Sequence, residues 1–222
     1  MWEAIILLGA PGSGKGTTAV DLTEAVSEFT HVSTGDMLRA ALKAGTQVGL
    51  EAKRYMEAGE LVPDEVIMKI VQERLMGGPA DAHYLFDGFP RTSDQARLLD
   101  ELLRTDGRGQ VTHVFLLEVP RDILVDRIAG RLLCRTCGAV YHIRNLPPKQ
   151  EGVCDQCGGE LYQRADDNRE TVVNRLEVFE KQTSDLIAYY EQQGVLKRIT
   201  ALQREKTLAY ILEQTGRSAQ SS

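Results

Sequence analysis

Gly9-Ala10-Pro11-Gly12-Ser13-Gly14-Lys15-Gly16-Thr17 lies between a short apolar run, Ala4-Ile5-Ile6-Leu7-Leu8, and a helical pattern. Strand, glycine-rich turn and helix in that order form a phosphate-binding loop. The glycines leave backbone N–H groups free to point at phosphate oxygens, and the new helix offers its partly positive end to the anion. Lys15 adds a mobile charge for the outer phosphates, and the Thr17 hydroxyl can approach a metal. The general pattern places Ser or Thr directly after the lysine; here Gly16 intervenes. A glycine turn without a ligand needs neither the lysine nor the hydroxyl.

Working outward, the 222 residues suit one α/β domain with insertions. With 42% hydrophobic and 26% charged residues the composition is that of a soluble globular protein. No apolar run approaches the roughly 18 residues of a membrane span. Met1-Trp2-Glu3 carries no basic region, so the apolar run after it reads as a buried strand and not a signal peptide. A cytoplasmic protein with no membrane association is expected. The net charge of −6 argues against a broad nucleic-acid surface and leaves room for a local arginine cluster that binds small anions.

The spacing predicts a helix over 16–29 with Ala19, Leu22, Ala25 and Val26 on one face, then a short strand at His31-Val32-Ser33. Ser33-Thr34-Gly35-Asp36 opens a second helix with Met37, Leu38, Ala41 and Leu42 inward. Further helices are expected over 47–58 and 64–76, the latter started by Pro63. Tyr84-Leu85-Phe86 reads as a strand ending in Asp87-Gly88-Phe89-Pro90-Arg91. A helix over 93–104, a strand over 111–118 and a helix over 120–130 follow. Residues 131–166 lose helical periodicity; then come a helix over 168–193, a strand over 195–200 and a helix over 204–214, with a disordered tail at 218–222. Its apolar face is Val172, Leu176, Phe179, Leu186, Ile187 and Tyr190 in the long helix. Strands alternating with helices imply a parallel sheet covered on both faces, with ligands at the carboxyl ends of the strands.

All four cysteines fall within the segment that breaks the alternation. Cys134 and Cys137, and Cys154 and Cys157, form two C-x2-C pairs sixteen residues apart, the spacing of a four-cysteine zinc site. Gly138 and Gly158 follow the second cysteine of each pair and suit tight turns. Four thiolates fill a tetrahedral shell, so the zinc is expected to be structural. His142 is the competing ligand in reach, and two local disulfides or free thiols are the other readings.

Arginines recur where a phosphate site would use them: Arg39, Arg91, Arg127, Arg131, Arg164 and Arg175. Arg127 and Arg131 are four apart, hence on one helical face, and Arg91 follows a strand end and Pro90.

Taken together, the loop, Ser33-Thr34-Gly35-Asp36-Met37-Leu38-Arg39, Gly59-Glu60-Leu61-Val62-Pro63-Asp64-Glu65 and Asp87-Gly88-Phe89-Pro90-Arg91-Thr92 resemble the adenylate kinase family in its long-lid, zinc-carrying bacterial form. Asp126-Arg127-Ile128-Ala129-Gly130-Arg131, Val140-Tyr141-His142, Pro147-Pro148-Lys149 and Leu161-Tyr162-Gln163-Arg164-Ala165-Asp166-Asp167 extend the resemblance to about Ile199. It also accounts for Gly16, which that family places between lysine and threonine. The implied architecture is a P-loop NTPase-type five-stranded parallel sheet with helices on both faces, a helical AMP flap and a zinc-ribbon-like lid. Core segments would be 1–32, 63–130 and 168–217, the flap 33–62 and the lid 131–167.

The resemblance implies the reaction ATP + AMP = 2 ADP by a monomer acting on nucleotides. By the same resemblance, Gly12, Ser13, Gly14, Lys15, Gly16 and Thr17 hold the ATP phosphates with Arg127 and Arg131, while Val140, Tyr141 and Gln203 lie near its base. Thr34, Arg39, the Glu60-Leu61-Val62 backbone, Gly88, Phe89, Pro90, Arg91 and Gln95 hold AMP, with Thr34 and Gln95 reading adenine. Arg164 and Arg175 bridge AMP and the transferring group. Mg²⁺ travels with ATP, and Asp87 hydrogen-bonds from behind its water ligands. Thr18, Leu132-Leu133, Leu146 and Ile199-Thr200-Ala201-Leu202 depart from the family pattern. Two other readings share parts of this sequence: a UMP/CMP kinase with the same machinery, and a zinc-ribbon nucleic-acid-binding NTPase. The second requires a basic ribbon, but Arg135, Arg144 and Lys149 are offset there by Glu151 and Asp155.

Overall fold

A computed structural model describes residues 3–78, 83–105 and 109–218. Its central sheet is built from β1 (Glu3–Leu8), β2 (Phe29–Ser33), β3 (His83–Asp87), β4 (Gln110–Glu118) and a late strand, β8 (Leu196–Thr200). They run parallel in the order β2-β3-β1-β4-β8. The apolar run at 4–8 becomes the central strand because both of its faces are covered. Ile6 and Leu8 face a core with Phe86, Leu99, Leu186 and Tyr190, while Ile5 and Leu7 face Ala19, Leu22, Phe115 and Ile211.

Helices α1 (Lys15–Ala25) and α8 (Arg204–Gln214) cover one face, joined by a fork from Arg204 to the buried carboxylate of Asp21. On the other face lie α4 (Asp64–Met76), α5 (Ser93–Thr105) and the long α7 (Arg169–Gln192). Of the apolar face expected for α7, Val172, Leu176, Leu186 and Tyr190 are fully buried. Helices α2 (Thr34–Lys43) and α3 (Gln47–Ala58) pack together beside the sheet, and α6 (Arg121–Ala129) packs on α7 through Leu124, Ile128, Val172 and Leu176.

The first boundary differs from its expectation. Helix α1 stops at Ala25, and β2 begins at Phe29, a residue expected to be helical. Strand β2 pairs along its whole length with β3, Phe29 opposite His83 with the rings edge to face at 6.4 Å. Those long-range bonds and the burial of Phe29 override the local period. Residues 131–167 form a second, antiparallel sheet of β5 (Arg131–Cys134), β6 (Val140–His142) and β7 (Leu161–Tyr162) in the order β6-β5-β7, followed by a 3-10 turn at Ala165–Asp167. No helix among the described residues is long and apolar enough to cross a membrane. The expected tail lies, from 219 on, outside the described residues.

Candidate active site

A cleft of about 450 Å³ opens where β1 and β3 end. The loop leaving β1 turns through Gly9, Gly12 and Gly14 at φ 152°, 83° and 101°. A Cβ at Gly12 would stand 2.8 Å from the Ile128 side chain and 3.0 Å from the Leu124 carbonyl, so only glycine lets the loop lie on α6. Gly14 precedes α1 without a side-chain cap, the arrangement in which a helix start accepts an outside anion. Lys15 Nζ folds back to donate to the carbonyls of Gly9 at 2.7 Å and Ala10 at 3.0 Å. Burial pulls its pKa down to about 8; Asp87 opposes the shift, whereas Arg91, Arg175 and Arg131 add to it. Within the loop, the Ser13 hydroxyl is buried and has no hydrogen-bond partner among the described residues. A Cβ at Gly16 would sit 3.4 Å from Asp87 Oδ2, an ordinary contact, so crowding does not account for the glycine there.

A smaller cavity of about 60 Å³ adjoins the cleft, and Gly88, Arg39, Arg91 and Arg175 line both. Thr34, Glu60, Leu61, Val62 and Gln95 also line it. Thr34 Oγ1 donates to the Gly88 carbonyl at 3.1 Å, joining the start of α2 to the end of β3. The Phe89–Pro90 peptide is cis, and Arg91 Nε donates back to the Gly88 carbonyl at 2.8 Å. Burial, then Arg175, lowers the Arg91 pKa to about 10, which still leaves a full cation at neutral pH. Gln95 is buried, its Oε1 accepting from the Arg91 N–H at 2.8 Å and its Nε2 donating to Asp64 Oδ1 at 2.7 Å.

Carboxylates hold four of the six arginines. Arg131 forks onto Asp167 at 2.9 and 2.5 Å, Arg175 meets Asp166 at 2.8 Å, and Arg39 meets Asp36 at 2.5 Å with Arg164 3.7 Å from the same oxygen. Among the described residues, Arg127 reaches only the Ala201 carbonyl, at 3.4 and 3.5 Å. Burial lowers the pKa of Arg127, Arg164 and Arg175, and neighbouring arginines lower the last two further. Such a cluster of desolvated cations is arranged to receive a polyanion.

The cysteines of both pairs converge. Their four Sγ atoms lie within 4.8 Å of one another, with Cys134 to Cys157 at 3.4 Å and Cys137 to Cys154 at 3.6 Å. These separations are far beyond a disulfide bond, and all four are free thiols. They are close to the edge of about 3.8 Å that follows from tetrahedral Zn–S bonds of ~2.3 Å. N–H groups of Thr136 and Cys137 point at Cys134 Sγ, which suits a thiolate, and Gly138 and Gly158 turn at φ 75° and 71° as expected. The donor set therefore fits zinc. His142 is engaged elsewhere: its Nδ1 accepts from the N–H groups of Arg144 and Asn145, so Nε2 carries the proton it donates to the Asp126 carbonyl at 2.9 Å.

Three expectations need correction. Arg127 and Arg131 do not share a helix, because α6 ends at Ala129 and Arg131 opens β5. The chain turns tightly at Gly130, where a Cβ would collide with the His142 ring at 2.3 Å; both arginines still line the cleft. Phe89 is core, 1% exposed with its ring tilted against that of Phe86 at 5.9 Å, and lines neither cavity. Gln203 is exposed ahead of α8 and does not line the cleft; Ala201 and Leu202 do. There the Ala201 N–H continues the bonding of β8 to the Glu118 carbonyl, and Leu202 and Arg204 on either side of Gln203 line the cleft.

Arg39, Arg91, Arg127, Arg131, Arg164, Arg175, Val140, Tyr141 and the loop are thus gathered around one cleft. The sequence reading missed Asp36, Asp166 and Asp167 as the groups that hold the arginines. Asp166 and Asp167 stood inside a quoted motif, but no spacing tells which arginine each takes.

Comparison with known proteins agrees with this geometry. The adenylate kinase family model matches residues 7–195. An adenylate kinase of Geobacillus sp. (strain WCH70) is 51% identical over 213 residues, covering 96% of this chain and 98% of that protein. One from Carboxydothermus hydrogenoformans is 53% identical over 197 residues, 88% of this chain and 90% of its own length. One from Desulfitobacterium hafniense (strain DSM 10664 / DCB-2) is 50% identical over 208 residues, 94% of each chain. With half its residues identical across nearly the full length, and a phosphate loop facing an arginine cluster, this chain belongs to the adenylate kinase family.

Proposed function

We propose that the chain catalyses ATP + AMP = 2 ADP, with ATP on the loop side of the cleft and AMP in the adjoining cavity. The observation that carries the reading is a cleft with an uncapped helix start and Lys15, adjoined by a smaller cavity with Thr34, Arg91 and Gln95 around it. Gly12 to Thr17 receive the ATP phosphates, and the unpartnered Ser13 hydroxyl is a further donor for them. Arg127 and Arg131 meet the same phosphates, while Val140 and Tyr141 pack near the base. Arg39, Arg91 and the backbone of Glu60-Leu61-Val62 and Gly88 hold AMP; Arg164 and Arg175 bridge to the transferring group.

The attacking oxygen belongs to a phosphate that is already anionic, so no general base is required. What resists reaction is bringing two polyanions into line, and the buried cations offset that repulsion by position and charge. Thr17 would meet the Mg²⁺ that travels with ATP and Asp87 its water ligands, and the ion would supply neutralisation of the phosphate charge. Segments 33–62 and 131–167 act as flaps that shut water out, since water would otherwise take the phosphoryl group. The four thiolates bind one structural zinc that holds the lid together. A reducing, cytoplasmic compartment suits four unpaired thiols, and a monomer acting on nucleotides, without nucleic acid or membrane, completes the reading.

The test is ADP formation from Mg-ATP with AMP, CMP, UMP or GMP as acceptor. AMP is expected to exceed every other acceptor at least tenfold in kcat/KM, and a better UMP or CMP would overturn the assignment.

A further inference from the structure

Gln95 is 1% exposed, so its amide can turn over only by exchanging partners inside the protein. Those partners are the Arg91 N–H, which donates to Oε1, and the Asp64 carboxylate, which accepts from Nε2. Neither can reverse its part: a backbone N–H only donates and a carboxylate only accepts. A reversed amide would set its NH2 against an N–H and its oxygen against a carboxylate. Asp64 is itself held in place. Its Oδ2 accepts from Thr92 Oγ1 at 3.4 Å, Thr92 Oγ1 accepts from the Gln95 N–H at 3.1 Å, and Asp64 opens α4, where a helix start favours a negative charge.

An amide has two N–H bonds and two oxygen lone pairs, so one of each remains after Asp64 and Arg91 are satisfied. Gln95 lines the smaller cavity, whereas Asp64 does not. The cavity is therefore offered an amide of fixed polarity. A 6-aminopurine presents an acceptor at N1 beside a donor at N6, so a base seated in one orientation pairs with only one polarity of the amide. A 6-oxopurine presents a donor at N1 beside an acceptor at O6, which is the reverse.

We propose that Asp64 is a positioning residue that sets the acceptor-base specificity of this enzyme by fixing the orientation of the Gln95 amide. The proposal rests on reading the smaller cavity as the acceptor site. It assigns to a side chain outside that cavity the choice between 6-amino and 6-oxo bases.

The test compares AMP with inosine monophosphate, which differs at the 6-position with the polarity reversed, in the full-length protein with Mg-ATP. Wild type should prefer AMP strongly; if it does not, the acceptor reading itself fails, whatever Asp64 does. In Asp64→Asn the new amide can donate or accept, so one of the two constraints on Gln95 is lifted. The AMP to inosine monophosphate ratio of kcat/KM should fall at least fivefold, with KM for AMP rising by more than kcat falls. Asp64→Ala, which removes the carboxylate and leaves the Arg91 N–H, should move the ratio the same way. A ratio unchanged within twofold in either folded variant, or equal loss of turnover with both acceptors, overturns the proposal. Should Asp64→Asn not fold, Asp64→Ala is judged by the same ratio, and failure of both to fold assigns Asp64 to stability alone and overturns it too.

Discussion

Lys15 Nζ donates to the Gly9 carbonyl at 2.7 Å, so the phosphate loop holds the lysine charge with its own backbone. The ammonium is poised over the loop and desolvated there, with its pKa pulled down to about 8.

That depression has two consequences with a definite sign. In the free protein, Lys15 sets a cost on folding that is complete below about pH 8 and fades as pH climbs towards its ordinary value of 10.5. A bound polyphosphate raises the pKa again, so ATP binding above about pH 8 takes up a proton and weakens with rising pH. Titration calorimetry in two buffers of different ionisation enthalpy should give different apparent heats at about pH 8.5. Identical heats would contradict the depressed lysine. Lys15→Met should keep the fold and lose roughly 10³ in kcat.

Arg131 forks onto both carboxylate oxygens of Asp167, and the Asp167 side chain is completely buried. Asp167→Asn leaves a guanidinium without its counter-charge and should cost about 3 kcal/mol in urea unfolding. A loss below about 0.5 kcal/mol would mean that solvent replaces the carboxylate at little cost.

The four clustered thiols predict one zinc per chain by elemental analysis of protein purified under reducing conditions. Chelation should lower the thermal midpoint by roughly 10 °C while ADP formation persists at low temperature, because the zinc organises the lid and not the loop. Metal-free protein with an unchanged midpoint would remove the zinc from the account.

Gly12 and Gly14 separate contact from conformation. Both have positive φ, but a Cβ meets Ile128 at 2.8 Å at Gly12 and nothing within 4 Å at Gly14. Gly14→Ala should therefore cost about 1 kcal/mol from the backbone alone. Gly12→Ala should cost about 1–3 kcal/mol more and weaken ATP binding as α6 is pushed from the loop. Equal losses in thermal unfolding would show that the packing against Ile128 yields freely.

Much of the site was legible because its signals are local. The loop carries its chemistry within nine residues, the cysteine pairs within twenty-four, and Asp87 to Arg91 follows directly from a strand end. Where expectation failed, a distant partner was responsible. Phe29 left the helical period because His83 lies opposite it, and Arg131 left the helix at Gly130, where the turn crosses the His142 ring. Phe89 belongs to the core beside Phe86.

By itself the sequence determined the phosphate loop, the alternation of strands and helices and the four-thiol cluster, since each depends on spacing along the chain. Tertiary structure alone decided the strand order β2-β3-β1-β4-β8 and which carboxylate takes which arginine. It also decided that Asp64, thirty-one residues from Gln95, holds the amide of that side chain. Such pairings follow from crossovers that bring remote segments together, and each buried ion or amide then takes the partner that satisfies it there.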